Sequence, residues 1–292
     1  MERTRCFLIG YPVSHSLSPA MFAAAFRALG LDWTYQALPV APGETGELLA
    51  QLAGRGAVGV NVTMPLKREV VAHCRYLTPR AEAVGAANTL TFREDGWEAD
   101  NTDWPGLRLA ITEAVGTGAL PRGGRPGVVF GAGGAAAAAA FCLAEMGLPV
   151  VIVNRDAGRG RELASRAGGE YVPWGDGTLP ALVGQASVVV NATPLGMAKG
   201  PADCPLPPGA VPAPDAVACE LVYHPPETEF LRRARKAGAR VVSGLSVLLW
   251  QAVPTFQRWT GRPAPVEAMR EALFASIEGG QPKIRGAEDC GT

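Results

Sequence analysis

Neither sign of charge is in excess in this 292-residue sequence, which has 27 basic side chains, 27 acidic side chains and a net charge of zero. A balanced surface lacks the basic patch that attracts nucleic acids or anionic membranes. No hydrophobic run approaches a transmembrane span, and the apolar start at residues 6–9 is too short for a signal peptide. The sequence therefore predicts a cytoplasmic globular protein without nucleic-acid or membrane partners.

Patterns that bind metals or form disulfide frameworks are also lacking. The six cysteines lie far apart, at positions 6, 74, 142, 204, 219 and 290, and no C-x-x-C pair occurs. This spacing predicts reduced thiols and no metal site. No G-x-S-x-G sequence occurs, so a Ser-His-Asp hydrolase is not supported. His15 directly precedes a serine suited to cap a helix, which favours an orienting role over that of a general base.

Short β-rich runs alternate with helical patterns, which is typical of parallel α/β architecture. The stretch "SPAMFAAAFRALG" predicts a helix with Ser18 as N-cap, Pro19 at the first helical position and Gly30 as the stop. A Gly/Pro-rich stretch at 116–127 predicts a connector between two parts of the chain. Strands are predicted at 6–10, 33–40, 57–63, 88–94, 186–193, 216–223 and 239–244, and two closing helices at roughly 245–259 and 265–278.

The second part opens with a dinucleotide-binding pattern. "GAGGAA" fits G-x-G-x-x-G/A through Gly131, Gly133 and Ala136. An apolar strand precedes it, an alanine-rich helix follows it, and a second strand arrives at the spacing of one βαβ unit. Gly131 permits the tight turn and Gly133 lets the backbone approach a pyrophosphate, which the free N–H groups of the helix then bind. The context favours a cofactor site over a glycine turn that serves packing only.

The choice between NADP and NAD depends on the end of the second strand, "VIVNRDAGR". Arg155 and Arg159 suit a ribose 2′-phosphate, whereas Asp156 could accept hydrogen bonds from a free 2′-hydroxyl. Two guanidiniums outweigh one carboxylate for a phosphate dianion. Asp156 could also pair with Arg159 and weaken its contribution. The sequence favours NADP and leaves NAD open.

Four polar clusters in the first part follow strands or turns, where α/β folds bind ligands. They are "HSLSP" (15–19), "NVTMPLK" (61–67), "AANTL" (86–90) and "DNTD" (100–103). Each has a structural alternative, because serine and aspartate cap helices and asparagine suits turns. Together they supply hydroxyls, amides, one lysine and one aspartate, without a metal-ligand set. That combination predicts a pocket for a small polyhydroxylated substrate.

These motifs together resemble the shikimate dehydrogenase family. The resemblance covers roughly residues 5–278, and the motifs occur in the family's order and spacing: "GYPVSHSLSP", "NVTMPLK", "GAANTL", "DNTD", "GAGGAA", "NR", "NATPLGM", "ELVYHP" and "SGLSVLLWQA". It implies reversible, NADP-dependent reduction of 3-dehydroshikimate to shikimate, a step of aromatic amino-acid biosynthesis. It also implies an α/β substrate domain followed by a Rossmann-type dinucleotide-binding domain.

The resemblance assigns roles to particular residues of this chain. Lys67 and Asp103 match the family's catalytic pair. The implied substrate-binding residues are Ser16, Ser18, Thr63, Asn88, Tyr223 and Gln251. The implied cofactor-binding residues are Gly131, Ala132, Gly133, Gly134, Ala135, Asn154, Arg155, Arg159, Asn191, Thr193, Met197 and Gly244.

Two departures from the family's pattern concern the cofactor. NADP-dependent members usually carry a small hydroxylated residue where Asp156 stands, which keeps an NAD-tolerant or dual-cofactor enzyme open. Val247 stands where the family often has methionine near the nicotinamide. Phe22 replaces a more usual histidine, with no expected catalytic consequence.

The resemblance places Gln251, from the closing helices, in the substrate pocket. The chain is therefore expected to return to its first domain, with C-terminal helices that pack back on it. The predicted substrate domain comprises residues 1–105 plus 245–280, the NAD(P)-binding domain 106–244, and a flexible tail 281–292. A monomer or homodimer is expected.

Reduction of a ketone needs a hydride on carbon and a proton on oxygen, and Lys67 is the predicted proton donor. Asp103 is expected mainly to orient Lys67 and to bind a substrate hydroxyl. A quinate or aminoshikimate dehydrogenase that uses NAD or both cofactors is an alternative. A catalytically silent, shikimate-binding regulator is a further alternative, disfavoured because both catalytic residues are present.

Overall fold

Two six-stranded β-sheets organise the chain in a computed structural model, which describes residues 3–116, 118, 120, 123–198 and 203–278. The predicted flexible tail at 281–292 lies outside the described residues, as do 117, 119, 121 and 122 of the predicted connector. Within the described ranges, no helix combines the length and hydrophobicity needed to cross a bilayer.

The first sheet has the strand order β2-β1-β3-β5-β6-β4. Its strands are β1 (Thr4–Gly10), β2 (Trp33–Pro39), β3 (Ala57–Val62), β4 (Tyr76–Leu77), β5 (Thr89–Phe92) and β6 (Trp97–Asp100). Strands β1, β2 and β3 are parallel, but β5 runs antiparallel to both β3 and β6. This sheet is therefore mixed, and Asp95 and Gly96 lie in a tight turn that reverses the chain between β5 and β6.

The helices of the first sheet are α1 (Ser18–Ala28), α2 (Thr45–Gly54), a 3-10 helix (Glu69–His73) and α3 (Pro79–Val84). The predicted helix at 18–30 forms, but its N-cap is Leu17 and not Ser18. Ser18 is buried, and its hydroxyl is hydrogen-bonded to the phenol of Tyr35 instead of to the first amides of the helix. Gly30 has a φ of 64° directly after the C-cap, as expected for a helix stop.

The second sheet is entirely parallel, with the order β12-β11-β10-β7-β8-β9. Its strands are β7 (Gly127–Phe130), β8 (Val150–Asn154), β9 (Glu170–Pro173), β10 (Val188–Asn191), β11 (Val217–Glu220) and β12 (Arg240–Val242). Helix α4 (Asp103–Val115) precedes this sheet, and α5 (Gly134–Glu145), α6 (Ala157–Arg166), α7 (Leu179–Gln185) and α8 (Glu229–Lys236) connect its strands. The strand order reverses between β7 and β10, which creates a ligand crevice at their carboxyl ends.

The predicted βαβ unit is β7-α5-β8, and small residues let its helix lie close to the sheet. Ala136 to Ala140 are all buried in α5. A Cβ atom at Gly127 would stand 2.7 Å from Leu143 Cδ1, so the strand and the helix approach each other without room for a side chain. This close packing fixes the start of α5 beside the glycine-rich turn.

The last two helices, α9 (Gly244–Thr260) and α10 (Val266–Glu278), complete the core of the first sheet. Phe256 and Trp259 of α9 pack in one buried cluster with Phe22 and Phe26 of α1. Trp259 Nε1 also donates a 3.0 Å hydrogen bond to the carbonyl of Leu90 in β5. The prediction that the C-terminal helices pack back on the first domain is confirmed.

Candidate active site

A lysine and an aspartate from different elements form an ion pair at the carboxyl end of the first sheet. Lys67 follows β3, and Asp103 is the first residue of α4. Lys67 Nζ lies 2.5 Å from Asp103 Oδ2, and the two side chains are 18% and 16% exposed. The backbone around Lys67 is held as well, because its carbonyl accepts a 2.7 Å hydrogen bond from Ala87 N. The ammonium group is therefore positioned at the surface of a cleft without being free in solvent.

Asn88 connects this ion pair to the C-terminal helix. Its Nδ2 donates to Asp103 Oδ1 at 2.8 Å and to Gln251 Oε1 at 3.2 Å. Gly106 of α4 makes the approach of α9 possible, since a Cβ there would stand 2.5 Å from Gln251 Cα. The structure thus brings Lys67, Asn88, Asp103 and Gln251, which lie far apart in sequence, into one hydrogen-bonded group.

Ser16 and Tyr223 form a second polar group. Ser16 Oγ accepts a 3.3 Å hydrogen bond from Ser18 N and is also hydrogen-bonded to the Tyr223 side chain. Burial raises the pKa of Tyr223, and the hydrogen bond with Ser16 opposes this only partly. The phenol is therefore neutral near pH 7 and can donate a hydrogen bond.

Thr63 lies against β1. Its N–H donates to the carbonyl of Ile9 at 2.9 Å, and its methyl group occupies the space that a Cβ of Gly10 would need. A β-branched side chain can therefore follow β3 only because residue 10 is glycine.

A buried chain of polar side chains behind these residues was not predicted. Tyr35 Oη donates to Asn61 Oδ1 at 2.9 Å, and Asn61 Nδ2 donates to Asn88 O at 3.0 Å and to Thr89 Oγ1 at 3.1 Å. Burial raises the pKa of Tyr35 well above its ordinary value. The signal in the sequence is Asn61 itself, an amide inside the otherwise apolar strand "AVGVNV".

The glycine-rich turn has the shape that a pyrophosphate requires. Gly131 has a φ of 116°, and a Cβ there would stand 2.9 Å from Ala192 O. Gly133 is the N-cap of α5, no side chain caps the helix, and the position of its missing Cβ is open space. The N–H groups of Gly134 and Ala135 are at the positive end of the helix dipole. The donor set therefore fits an anionic diphosphate.

The turn also faces the lysine. A Cβ at Gly134 would lie 3.2 Å from Ala86 Cβ and 3.5 Å from Lys67 Cβ. Arg68 crosses between the two parts of the molecule, since its Nη2 donates to the carbonyl of Ala132 at 3.2 Å. The start of the cofactor motif and the catalytic candidate therefore lie on the two sides of one cleft.

The residues expected at the adenosine end are the last residue of β8 and those that follow it. Asn154 Nδ2 donates to Asp156 O at 2.9 Å. Arg155 and Arg159 are exposed. Asp156 is the N-cap of α6: its Oδ1 accepts from Arg159 N at 3.0 Å, and its Oδ2 lies 3.6 Å from Arg159 Nε. The anticipated pairing of Asp156 with Arg159 is present, at an exposed site where such pairs contribute little free energy.

The loop after β10 is held by a buried glutamate that was not predicted. Asn191 Oδ1 accepts from Thr193 N at 3.1 Å, and Asn191 Nδ2 donates to Glu220 Oε1 at 2.9 Å. Glu220 also accepts from Val222 N at 2.9 Å and from Thr228 Oγ1 at 2.8 Å. Burial raises the pKa of Glu220 to about 7, although these hydrogen bonds oppose the shift. The signal in the sequence is a single acidic residue at the end of the apolar strand "VACE".

Met197 follows β10, and Gly244 follows β12 as the first residue of α9. Met197 N donates to Pro194 O at 3.2 Å, which closes the loop that begins at Asn191. A Cβ at Gly244 would stand 2.2 Å from Val222 O, so α9 can begin beside the segment after β11 only with glycine there.

The site contains no obvious metal centre. Within the part of the chain that the structure describes, no group of three or more His, Cys, Asp or Glu side chains is arranged to hold a metal ion. His15 is exposed, and the cysteines at 6, 142 and 219 are buried. In the described cleft, the Lys67–Asp103 pair is accompanied by the neutral polar side chains of Asn88 and Gln251.

Two family models match this chain, one near its beginning and one near its end. Residues 8–90 match the model "Shikimate dehydrogenase substrate binding domain". Residues 244–274 match the model "Shikimate 5'-dehydrogenase C-terminal domain".

Comparisons over the full chain agree with these matches. The shikimate dehydrogenase (NADP(+)) of Desulforamulus reducens is 38% identical over 282 residues, which cover 94% of this chain and 96% of that protein. The structure is similar to that of shikimate 5-dehydrogenase from Thermus thermophilus in complex with NADP(H) and shikimate, with a TM-score of 0.83, 38% identity, and coverage of 94% and 99% of the two chains. It is also similar to quinate dehydrogenase from Corynebacterium glutamicum in complex with NAD, with a TM-score of 0.83, 28% identity and the same coverage.

Proposed function

Because the chain belongs to the shikimate dehydrogenase family, we propose that it catalyses the reversible, NADP-dependent reduction of 3-dehydroshikimate to shikimate. The observation that carries this proposal is the 2.5 Å pair of Lys67 Nζ and Asp103 Oδ2, directly across the cleft from Gly134 of the glycine-rich turn. A proton donor and a dinucleotide site that face each other are the two parts a ketone reductase needs.

The cofactor's pyrophosphate is assigned to the N–H groups at the start of α5, and its 2′-phosphate to Arg155 and Arg159. The loop from Asn191 to Met197 and the residue Gly244 are assigned to the nicotinamide half. NADPH, when bound, supplies the hydride that reduces the ketone carbon. Two exposed guanidiniums that follow β8 support the assignment of the phosphate.

The substrate is assigned to the polar residues of the first sheet and of α9. These are Ser16, Ser18, Thr63, Asn88, Tyr223 and Gln251. Hydroxyls and amides can match each hydroxyl of a polyhydroxylated ring acid, and an unmatched polar group in a closed site would cost affinity. The neutral phenol of Tyr223 supports a donor role toward a substrate oxygen.

Lys67 is the proposed proton donor in reduction and the proposed acceptor in oxidation. Its Nζ has three N–H bonds, of which one is directed to Asp103 Oδ2. The remaining donors can stabilise negative charge that develops on the substrate oxygen and transfer a proton to it. Asp103 orients the ammonium group and, together with Asn88, provides acceptors for a substrate hydroxyl.

Initial-rate kinetics in both directions test this proposal, with shikimate and quinate and with NADP and NAD. We expect kcat/KM for shikimate with NADP to exceed every other pair by about 10-fold or more, since the site discriminates by matched hydrogen bonds. A larger kcat/KM for quinate with NAD would contradict it.

An enzyme that accepts NAD is the second candidate, and Asp156 is the observation that favours it. The carboxylate follows β8 and is exposed, where it could accept a hydrogen bond from a ribose hydroxyl. Arg155→Ala discriminates between the cofactors: the loss of a charge-assisted phosphate contact should raise KM for NADP about 10-fold to 100-fold and leave KM for NAD unchanged. Arg161→Ala is a matched control, because this exposed arginine of α6 lies over the ring of Tyr171. Equal effects of Arg155→Ala on both cofactors would support the second candidate.

The domain limits and the assembly state complete the proposal. The substrate domain is assigned to 1–105 plus 245–280 and the dinucleotide-binding domain to 106–244, because α9 and α10 share a buried cluster with α1. A monomer or homodimer in the cytoplasm remains the expectation from the sequence. Limited proteolysis and analytical ultracentrifugation test the limits and the assembly state.

A further inference from the structure

Three buried threonine hydroxyls form a closed ring behind the ion pair. Thr89 Oγ1 lies 3.0 Å from Thr102 Oγ1 and 2.8 Å from Thr255 Oγ1, and Thr102 Oγ1 lies 3.0 Å from Thr255 Oγ1. None of the three is more than 1% exposed. Each hydroxyl has one hydrogen and two lone pairs, so Thr89 and Thr102 can both donate to Thr255 Oγ1 while Thr255 keeps its own hydrogen for another acceptor.

Each threonine of this hydroxyl ring is close in sequence to a residue assigned to the site. Thr89 follows Asn88, and Thr102 precedes Asp103. Thr102 N donates to Asn88 Oδ1 at 2.7 Å, and Asn88 Nδ2 donates to Thr102 Oγ1 at 2.9 Å. Thr255 lies one helical turn after Gln251 and donates to its carbonyl at 3.2 Å. The ring therefore joins β5, the start of α4 and α9 at the point where these elements carry Asn88, Asp103 and Gln251.

Thr255 lies on α9 and is distant in sequence from the other two threonines of the ring. Thr89 also accepts from Asn61 Nδ2, and Thr102 also accepts from Asn88 Nδ2. Thr89 and Thr102 therefore keep polar partners when the Thr255 hydroxyl is removed. Loss of the Thr255 hydroxyl would remove one acceptor and one donor from a site with no access to water. Helix α9 would lose its hydrogen-bond contacts with Thr89 and Thr102.

We propose that Thr255 is a positioning residue of the active site, whose hydroxyl fixes Gln251 on α9 relative to Asn88 and Asp103. This inference rests on the proposed function, because it takes these three residues to contact the substrate. A small displacement of Gln251 changes the geometry of the substrate and leaves in place the cofactor residues at the ends of β7, β8 and β10.

Steady-state kinetics of Thr255→Val and Thr255→Ser test the proposal. Valine keeps the shape and removes the hydroxyl, and serine keeps the hydroxyl. We expect Thr255→Val to lower kcat/KM for the organic substrate about 10-fold to 100-fold while KM for NADP stays within about 2-fold, and Thr255→Ser to remain within about 3-fold of the wild type. Thr260→Val is the matched control, since Thr260 Oγ1 of the same helix also donates to the carbonyl four residues earlier, at 2.8 Å.

The outcomes separate the two proposals. Unchanged kinetics of Thr255→Val, or an equal loss for substrate and cofactor that serine does not rescue, overturns the positioning role. If the valine variant does not fold, Thr255→Ala and Thr255→Ser carry the same comparison below their melting temperatures. If the wild type oxidises quinate but not shikimate, the proposed function is refuted, and the kinetics of the Thr255 variants are then compared with quinate as the substrate. If the wild type oxidises neither compound, both proposals are overturned.

Discussion

Both oxygens of the Asp103 carboxylate are occupied by donors from different elements. Oδ2 accepts from Lys67 Nζ, and Oδ1 accepts from Asn88 Nδ2. The carboxylate therefore cannot rotate without breaking one of two hydrogen bonds, and charge-assisted bonds of this kind are about twice as strong as neutral ones. At the residue scale, Asp103 fixes the direction of the lysine, whose remaining N–H bonds are the proposed donors to the substrate.

Replacement of the lysine tests its chemical role. Lys67→Ala should lower kcat about 10²-fold to 10⁴-fold, the usual contribution of a positioned acid or base. The Kd for NADP should stay within about 2-fold, because the start of α5 is unchanged. Stopped-flow turnover and fluorescence titration of NADPH measure the two quantities.

A second lysine provides the control for this experiment. Lys236 is exposed at the end of α8, and Lys236→Ala should be indistinguishable from the wild type in both assays. Turnover of Lys67→Ala near that of the wild type would show that Lys67 only positions the substrate.

At the scale of elements, α4 and α9 meet at Gly106 and at Gln251, a residue of the proposed substrate pocket. Gly106 faces the backbone of Gln251, and a Cβ there would stand 2.6 Å from Gln251 N. Backbone atoms of a buried helix cannot move aside as a flexible side chain can. The separation of the two helices is therefore set by a missing side chain.

Gly106→Ala should widen this contact. We expect a loss of about 1–3 kcal/mol in the free energy of unfolding, as for other overpacked cores. The KM for shikimate should rise because Gln251 moves away from Asn88. Urea denaturation and steady-state kinetics measure the two effects.

Gly54→Ala is the matched control for this substitution. Gly54 is the last residue of α2, and no heavy atom lies within 4 Å of its absent Cβ. Alanine there should be neutral or stabilising by about 0.4–1 kcal/mol. Equal unfolding free energies and equal KM values for the two variants would mean that α9 moves aside without cost and does not define the proposed pocket.

The elements that could be predicted from the sequence are those with a local signal. The β7-α5-β8 unit followed from a glycine motif flanked by apolar runs, and α9 followed from its periodic pattern. Strand β6 was missed although Asp95 and Gly96 favour a hairpin turn. The antiparallel direction of β5 relative to β3 has no local signal. Direction depends on which strands pair, and pairing depends on contacts far apart in sequence.

The candidate site could be predicted only in part, for the same reason. Lys67 and Asp103 belong to short polar motifs, and the structure brings them together. Thr255 and Glu220 lie in apolar surroundings, where a single polar residue is as typical of a helix or strand as of a site. Their partners, such as Thr89 for Thr255, lie up to 166 residues away, so only the folded chain reveals them.

At the scale of the whole molecule, Glu220 makes stability depend on pH. Burial raises the pKa of this carboxyl from an ordinary value of 4.5 to about 7, so folding favours its neutral form. Below pH 4.5 the carboxyl is protonated in both the folded and the unfolded chain, and its contribution is fully present. As the pH rises from there through about 7, the unfolded chain ionises first, and stability falls by about 3 kcal/mol.

Glu220→Gln should abolish this dependence. Between about pH 5 and about pH 8, the unfolding free energy of the wild type should fall relative to that of the variant by about 3 kcal/mol in total. Urea unfolding at intervals across this range measures the difference and cancels the titration of all other groups. Parallel curves for the two proteins would show that the carboxyl is charged in the folded protein at every pH tested.

The shared cluster of α1 and α9 also fixes an order of events during synthesis. The strands of the second sheet lie between residues 127 and 242, and this part of the chain contains a buried cluster of its own. Phe22 and Phe26, in contrast, can pack in their buried cluster only after Phe256 and Trp259 have been synthesised, more than 200 residues later. Because nascent domains fold as units when their residues have emerged, the half of the protein that is made first is the half that finishes folding last.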